Sequence, residues 1–191
     1  MHFTNVFLKA ILAHEQEAFM LKALKSQLSL LAVEEGDRFA REIRERYGRS
    51  NIQWAVSKSV NLILIMPDLI ARIRQASAEP GLSVQMRRLN QYVLIYLYHP
   101  YDFVAEDRPG LLGYLDDAYL VGTVYSRLKA RTSAGNAAED LARDLEASLE
   151  VVRAVLPKET RKIDRLVEEL SRGQSDVFEK LMRREKPLRR S

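Results

Sequence analysis

VQMRRLNQYVLIYLYHPYDFVAEDRPGLLGYLDDAYLVGTVYSRLKA, Val84 to Ala130, holds two helix-forming runs on either side of a turn rich in proline, glycine and acids. In the first run Met86, Leu89, Val93 and Tyr96 recur three and four residues apart, and Leu94, Ile95, Leu97 and Tyr98 widen the apolar surface. That pattern predicts a helix from Val84 to Tyr98, apolar almost all round and therefore central in the core. His99-Pro100 stops it, because the residue before a proline avoids helical geometry. The second run, Tyr114 to Ala130, places Leu115, Ala118, Tyr119, Gly122 and Tyr125 at helical spacing. A glycine inside a helix costs about 1 kcal/mol relative to alanine, so Gly122 predicts a close helix approach.

The same punctuation continues in both directions. Upstream, Phe3, Phe7, Ile11, Ala18, Leu21, Leu28 and Leu31 predict a helix over Phe3 to Val33, with a break at Gly36. Arg38 to Tyr47 follows as a charged amphipathic helix with Phe39, Ile43 and Tyr47 on one face, closed by Gly48. Ser50 or Asn51 caps the next helix, which runs to Met66; Pro67 predicts a kink or break, with a short helix from Asp68 to Ile73 beyond it. Pro80-Gly81 is a turn, and Ser83 starts the quoted segment. Downstream, Asn136 caps a helix carrying Leu141, Leu145, Leu149, Val152 and Leu156. Pro157 separates it from a helix with Ile163, Leu166, Val167 and Leu170, and Gly173 precedes a last short one with Val177, Phe178 and Leu181. No strand-like alternation and no internal repeat appear. The sequence predicts an all-α compact bundle of about seven helices, arranged as antiparallel pairs joined by short loops. One domain spans residues 1–185, and 186–191 form a basic tail.

Composition narrows the function classes. The 191 residues are 47% hydrophobic and 29% charged, with eight glycines and six prolines, which is the balance of a soluble helical protein. With no cysteine there is no disulfide framework, thiolate zinc site or cysteine nucleophile. The longest stretch free of Asp, Glu, Lys and Arg, Leu89 to Tyr101, is shorter than the roughly 20 residues of a membrane span. Lys9 and His14-Glu15-Gln16-Glu17 do not fit a signal peptide, and the expected location is cytoplasmic. The net charge of +4 is uneven. Lys180, Arg183, Arg184, Lys186, Arg189 and Arg190 oppose Glu185 alone at the C-terminal end, whereas Tyr92 to Tyr125 carries five acids against Arg108.

The quoted segment also carries the chemistry. Tyr96, Pro100, Asp102, Phe103 and Glu106, then Gly113, Tyr114, Asp116, Asp117 and Ala118, form a Pro-x-Asp loop followed by a Gly-Tyr-x-Asp-Asp helix start. On these residues the chain resembles the YkvA-like domain of unknown function over about residues 60–128. Ala105 stands where that family usually has a second proline, so the loop is less constrained here. The resemblance implies a helical fold and a locality for the special chemistry, and no activity.

The candidate functional or structural residues are Pro100, Asp102, Phe103, Glu106, Asp107, Gly113, Tyr114, Asp116 and Asp117. Their acids admit three readings. The first is structural: Asp116 and Asp117 oppose the positive end of the second helix, and Asp102 ties the loop to backbone amides. The second is an oxygen-only cation site using Asp102, Asp116 and Asp117, although the spacing lacks the calcium-loop pattern. The third is paired-carboxylate catalysis. Seven of the eight tyrosines cluster here, and with basic residues missing they read as core tyrosines bonded to the loop acids rather than as a nucleic-acid stacking platform.

His2, His14 and His99 are too dispersed for a zinc or di-iron motif, and no phosphate loop or nucleophile elbow exists, so no catalytic residue, cofactor or metal is assigned. The leading expectation is a protein-interaction or scaffold module with a structured acidic loop. It would take an unidentified protein partner, or form a homodimer through apolar faces left over on the N-terminal and Leu141–Leu156 helices. The alternative is a peripheral protein tethered to an anionic membrane by the basic tail, and a distant third is a metal-dependent enzyme at the loop. Nucleic acid is not an expected partner.

Overall fold

Local signals set where each helix starts and stops. The computed structural model describes residues 3–48, 51–97, 110–129 and 136–172, with side chains described at 18–48, 51–93, 110–129 and 140–172. Among these residues there are seven α-helices, one 3-10 turn and no strand: the fold is all-α. Helix α1 spans Phe3–Glu34 and α2 spans Gly36–Tyr47, with the chain turning at Glu35. Gly48, at φ 60°, ends α2 in the left-handed conformation that glycine adopts without a Cβ clash. Asn51 opens α3, Ile52–Ser77, by accepting the Trp54 amide at 3.3 Å, and Ser83 opens α4, Val84–Leu97, by accepting that of Met86 at 3.3 Å. The 3-10 turn Leu111–Tyr114 leads into α5, Leu115–Lys129. Helix α6 covers Asn136–Val155, and Pro157 is the first residue of α7, Pro157–Ser171, where its missing N–H costs nothing.

Two expectations about the interior change. Pro67 does not end a helix: α3 runs through it for 26 residues. The lost bond to the Ile63 carbonyl costs about 3 kcal/mol. Against that, Leu62, Ile63 and Met66 before the proline, and Leu69, Ile70 and Ile73 after it, are all buried in one core. Each such side chain contributes roughly 1.5–3 kcal/mol on burial, so one continuous helix carrying both halves wins. The central pair is α3 and α5 rather than α4. Helix α3 packs against α1, α2, α4, α5 and α6, and α5 packs against α3, α4, α6 and α7. Helix α4 instead lies against α3, α5 and α7, with Val84 exposed and Met86, Leu89 and Val93 buried. By length and composition α3 is also apolar enough to cross a membrane, with a mean hydropathy of 1.3 over its best window. Here it serves as the core helix.

Gly122 does what its cost predicts. A Cβ there would lie 3.0 Å from Leu149 Cδ2, 3.2 Å from Leu62 Cδ1 and 3.3 Å from Leu145 Cδ1, so the glycine lets α5 settle between α3 and α6. The apolar side of α6 is spent in this contact: Leu145, Leu149 and Val152 are buried, as is Leu156 just beyond the helix. It is therefore not left over for a second copy. The last predicted helix, with Val177, Phe178 and Leu181, and the basic tail lie outside the described residues.

Candidate functional site

The acid-rich loop enters the structure at its C-terminal end. Pro100, Asp102, Phe103, Glu106 and Asp107 lie outside the described residues, while Gly113, Tyr114, Asp116 and Asp117 are brought together at the start of α5. What anchors this end is Glu35, from the α1–α2 junction. Its Oε2 accepts the Leu111 amide at 2.9 Å, as an N-cap side chain would for a helix. Gly110 beside it has φ 103°, a backbone conformation that favours glycine, and a Cβ at that position would have to displace the Glu35 carboxylate from its place at the Leu111 amide. The Gly113 amide then donates to the Gly110 carbonyl at 3.0 Å, closing the 3-10 turn, and Leu111 and Leu112 drop into the core.

From this anchor the motif residues take distinct places. Gly113 sits within the turn and is half-buried. Tyr114 projects toward α1, where its hydroxyl accepts from Gln27 Nε2 at 3.4 Å. Asp116 is fully buried in the first turn of α5, and Asp117 is half-buried beside it. Both carboxylates thus stand in the first turn, at the positive end of the helix dipole. Asp117 and Tyr114 also border an apolar recess of about 230 Å³ floored by Met20, Leu21 and Leu24 of α1 and by Met66 and Ile70 of α3. Among the described residues no three His, Cys, Asp or Glu side chains gather as a metal site, and Asp102 of the proposed cation set falls outside them.

A second polar assembly lies on the far side of α5. Tyr119, fully buried, donates its hydroxyl proton to Asp164 Oδ1 of α7 at 2.8 Å and accepts from Arg153 Nε of α6 at 2.8 Å. Arg153 reaches on to Glu146 Oε1 at 3.3 Å, with its guanidinium carbon 5.6 Å from the Tyr119 ring centre. Nearby, Arg127 bonds Glu168 Oε2 at 2.8 Å and the Ser171 hydroxyl at 3.0 Å, and Arg172 lies 2.9 Å from Glu168 Oε1. These groups line an open cleft of about 590 Å³ between α5, α6 and α7.

The electrostatics of that cleft are those of a clamp. Burial, followed by the bond to the Asp164 carboxylate, pushes the Tyr119 hydroxyl well above its ordinary value of 10.0. The hydrogen bond from Arg127, then the charges of Arg127 and Arg172, hold the Glu168 carboxyl below its ordinary range. Both shifts strengthen the protonation state each group already has at neutral pH. Neither creates a base or nucleophile poised to react.

The expectation that the tyrosines bond the loop acids changes for Tyr119 and Tyr125, and Tyr114 also bonds outside the loop. Tyr119 meets Asp164 and Arg153, Tyr114 meets Gln27, and Tyr125 accepts from Arg72 at 3.4 Å. The residues that sequence reasoning missed are Glu35 and the Tyr119–Arg153–Asp164 set. An acid immediately before the Gly36 break was the available signal for Glu35. No sequence signal marked the set, whose members come from three separate helices.

No family model, curated protein or solved structure matches this chain.

Proposed function

We propose that this chain is a helical protein-interaction module, with a packed core that carries a docking face on α1. One observation carries the reading: Phe19, Leu30 and Val33 of α1 are 73%, 57% and 83% exposed, though a solvent-facing helix side is ordinarily polar. The apolar recess under Tyr114 and Asp117 lies on the other, core-facing side of the same helix, where Leu21 and Leu24 line it. The likeness to the YkvA-like family at Pro100, Asp102, Gly113, Tyr114, Asp116 and Asp117 belongs to this proposal, and it supplies a locality without an activity. The tail tether and the loop cation site gain no observation, because Lys180–Ser191 and Asp102 lie outside the described residues.

The test is affinity capture from native cells after mild cross-linking, with the intact chain compared against Phe19→Glu/Val33→Glu. A stoichiometric, salt-resistant partner that the wild type recovers and the variant loses supports the module. Equal recovery by both chains, or recovery only of material released by high salt, overturns it.

A further inference from the structure

The cleft between α5, α6 and α7 is walled by charges that cancel. The guanidinium groups of Arg127, Arg153, Arg165 and Arg172 line it together with the carboxylates of Glu146, Asp164, Glu168 and Glu169. A phosphate dianion would meet the acids and a bare cation the arginines, so the field of the walls favours neither. What such a wall complements is a ligand that carries one charge of each sign.

The hydrogen bonds divide the wall into spent and unspent groups. Asp164 is engaged by Tyr119, Glu146 by Arg153, and Glu168 by Arg127 and Arg172. Glu169 is half-buried and has no hydrogen bond or ion pair among the described residues. On the donor side, Arg153 uses Nε and Nη1 on Tyr119 and Glu146, and its Nη2 makes no bond among the described residues. Arg127 uses Nη1 and Nη2 on Ser171 and Glu168, and its Nε is likewise left over.

Thr123 is an independent sign of a ligand. On α5 it lies one turn from Tyr119, which holds Arg153, and one turn from Arg127, and it lines the cleft between them. Its side chain is only 7% exposed, yet its Oγ1 has no partner among the described residues. A hydroxyl within a helix can return to the carbonyl four residues back, as Ser148 does to Asp144 at 3.0 Å and Thr160 to Leu156 at 2.8 Å. Thr123 does not, and a buried hydroxyl without a partner lowers stability. A turn about χ1 exchanges its hydroxyl and methyl, so an acceptor seated between Arg153 and Arg127 can take this proton.

We infer that this cleft binds a small zwitterion, a molecule with one carboxylate and one primary ammonium group, of which a free amino acid is the simplest. The carboxylate sits against Arg153 Nη2, Arg127 Nε and the Thr123 hydroxyl, where charge-assisted bonds are short and strong. The ammonium turns to Glu169, the neighbour in sequence of the Glu168 that Arg127 holds, so both poles of the site lie near Arg127. The cleft volume of about 590 Å³ falls within the range of small-molecule sites. Leu149 is the one apolar side chain among the lining residues, so small or polar amino acids are favoured over large apolar ones. This site is separate from the α1 face and does not depend on it.

The test titrates each of the common amino acids into the intact chain, with amide chemical shifts followed by NMR. Acetate and ethylammonium serve as the two single-charge halves, and inorganic phosphate as the dianion. The expected result is saturable binding of at least one amino acid that moves the amides around Thr123 and Glu169, with acetate, ethylammonium and phosphate each about 10-fold weaker or more. Glu169→Gln should weaken the amino acid about 10-fold and leave acetate unchanged, because it removes only the ammonium's partner. Thr123→Val should weaken both, and it should melt no lower than the wild type, because the hydroxyl it removes has no partner in the fold. The zwitterion site is overturned if no amino acid binds at millimolar concentration, or if acetate or phosphate binds as tightly as the best of them. It is equally overturned if either variant binds as the wild type does, or if Thr123→Val melts clearly lower, which would assign that hydroxyl to the fold.

Discussion

Replacing Gly122 by alanine sets two known quantities against each other at one atom. Alanine favours the helix by about 1 kcal/mol over glycine. Its methyl, however, would arrive 3.0 Å from Leu149 Cδ2, 3.2 Å from Leu62 Cδ1 and 3.3 Å from Leu145 Cδ1. All three leucines are buried, so none can swing into solvent, and each must shift within a close-packed interior. Overpacking of this kind costs about 1–3 kcal/mol, so Gly122→Ala should be net destabilising by up to about 2 kcal/mol. The cycle with Leu149→Ala isolates the cause. Leu149→Ala alone should cost about 2–5 kcal/mol. Adding Gly122→Ala to that background removes the tightest contact and partly fills the space, so the second change should recover about 1 kcal/mol. Urea unfolding followed by far-UV circular dichroism measures all four chains, and about 1 kcal/mol corresponds to roughly 2–4 °C in Tm at this chain length. If Gly122→Ala by itself stabilises the protein by its full helix propensity, the packing account of this glycine is wrong.

Other perturbations reach the remaining features. Gly110→Ala combines a left-handed φ with a collision against the Glu35 carboxylate and should lower stability by about 1–3 kcal/mol. Glu35→Ala, which only orphans the Leu111 amide, should cost about 0.5–2 kcal/mol, and Glu35→Gln, which keeps an acceptor, should cost less; denaturant titration of the three orders them. Tyr119→Phe removes the bonds to Asp164 and Arg153 and should cost about 1–2 kcal/mol, reduced from the buried value because both partners are partly hydrated. The raised Tyr119 value gives the pH dependence its sign. Its contribution is fully present below the ordinary value of 10.0 and is lost as pH rises beyond it, so alkaline melting curves should fall less steeply in Tyr119→Phe than in wild type. Glu168 works in the opposite direction. Its lowered value stabilises the fold above the ordinary 4.5 and loses that effect as pH falls, and Glu168→Gln should flatten the acid limb of stability against pH.

How far the sequence reached depended on how local each determinant was. Gly48, Asn51, Ser83 and Pro157 act on backbone within a turn of themselves, so the helix ends they mark were legible. Gly122 was legible as well, because a helix keeps an expensive residue only where space demands it. The break that Pro67 suggested does not occur: its local penalty is real, but buried side chains on both sides of it outweigh the penalty, and burial is a property of the whole packed core. The site divides along the same line. Asp116 and Asp117 at the start of α5 follow from the motif itself. Glu35 reaches an amide 76 residues away, and Tyr119 reaches Asp164 across 45, contacts that no spacing rule encodes. Which apolar faces remain uncovered was also decided only in three dimensions. The leucines of α6 and the outer residues of α1 follow helical periods of the same kind, so the sequence by itself determined two amphipathic surfaces. Tertiary packing consumed the α6 surface against Gly122 and left Phe19, Leu30 and Val33 in water, because a helix period states that a face is apolar and only its neighbours determine what lies against it.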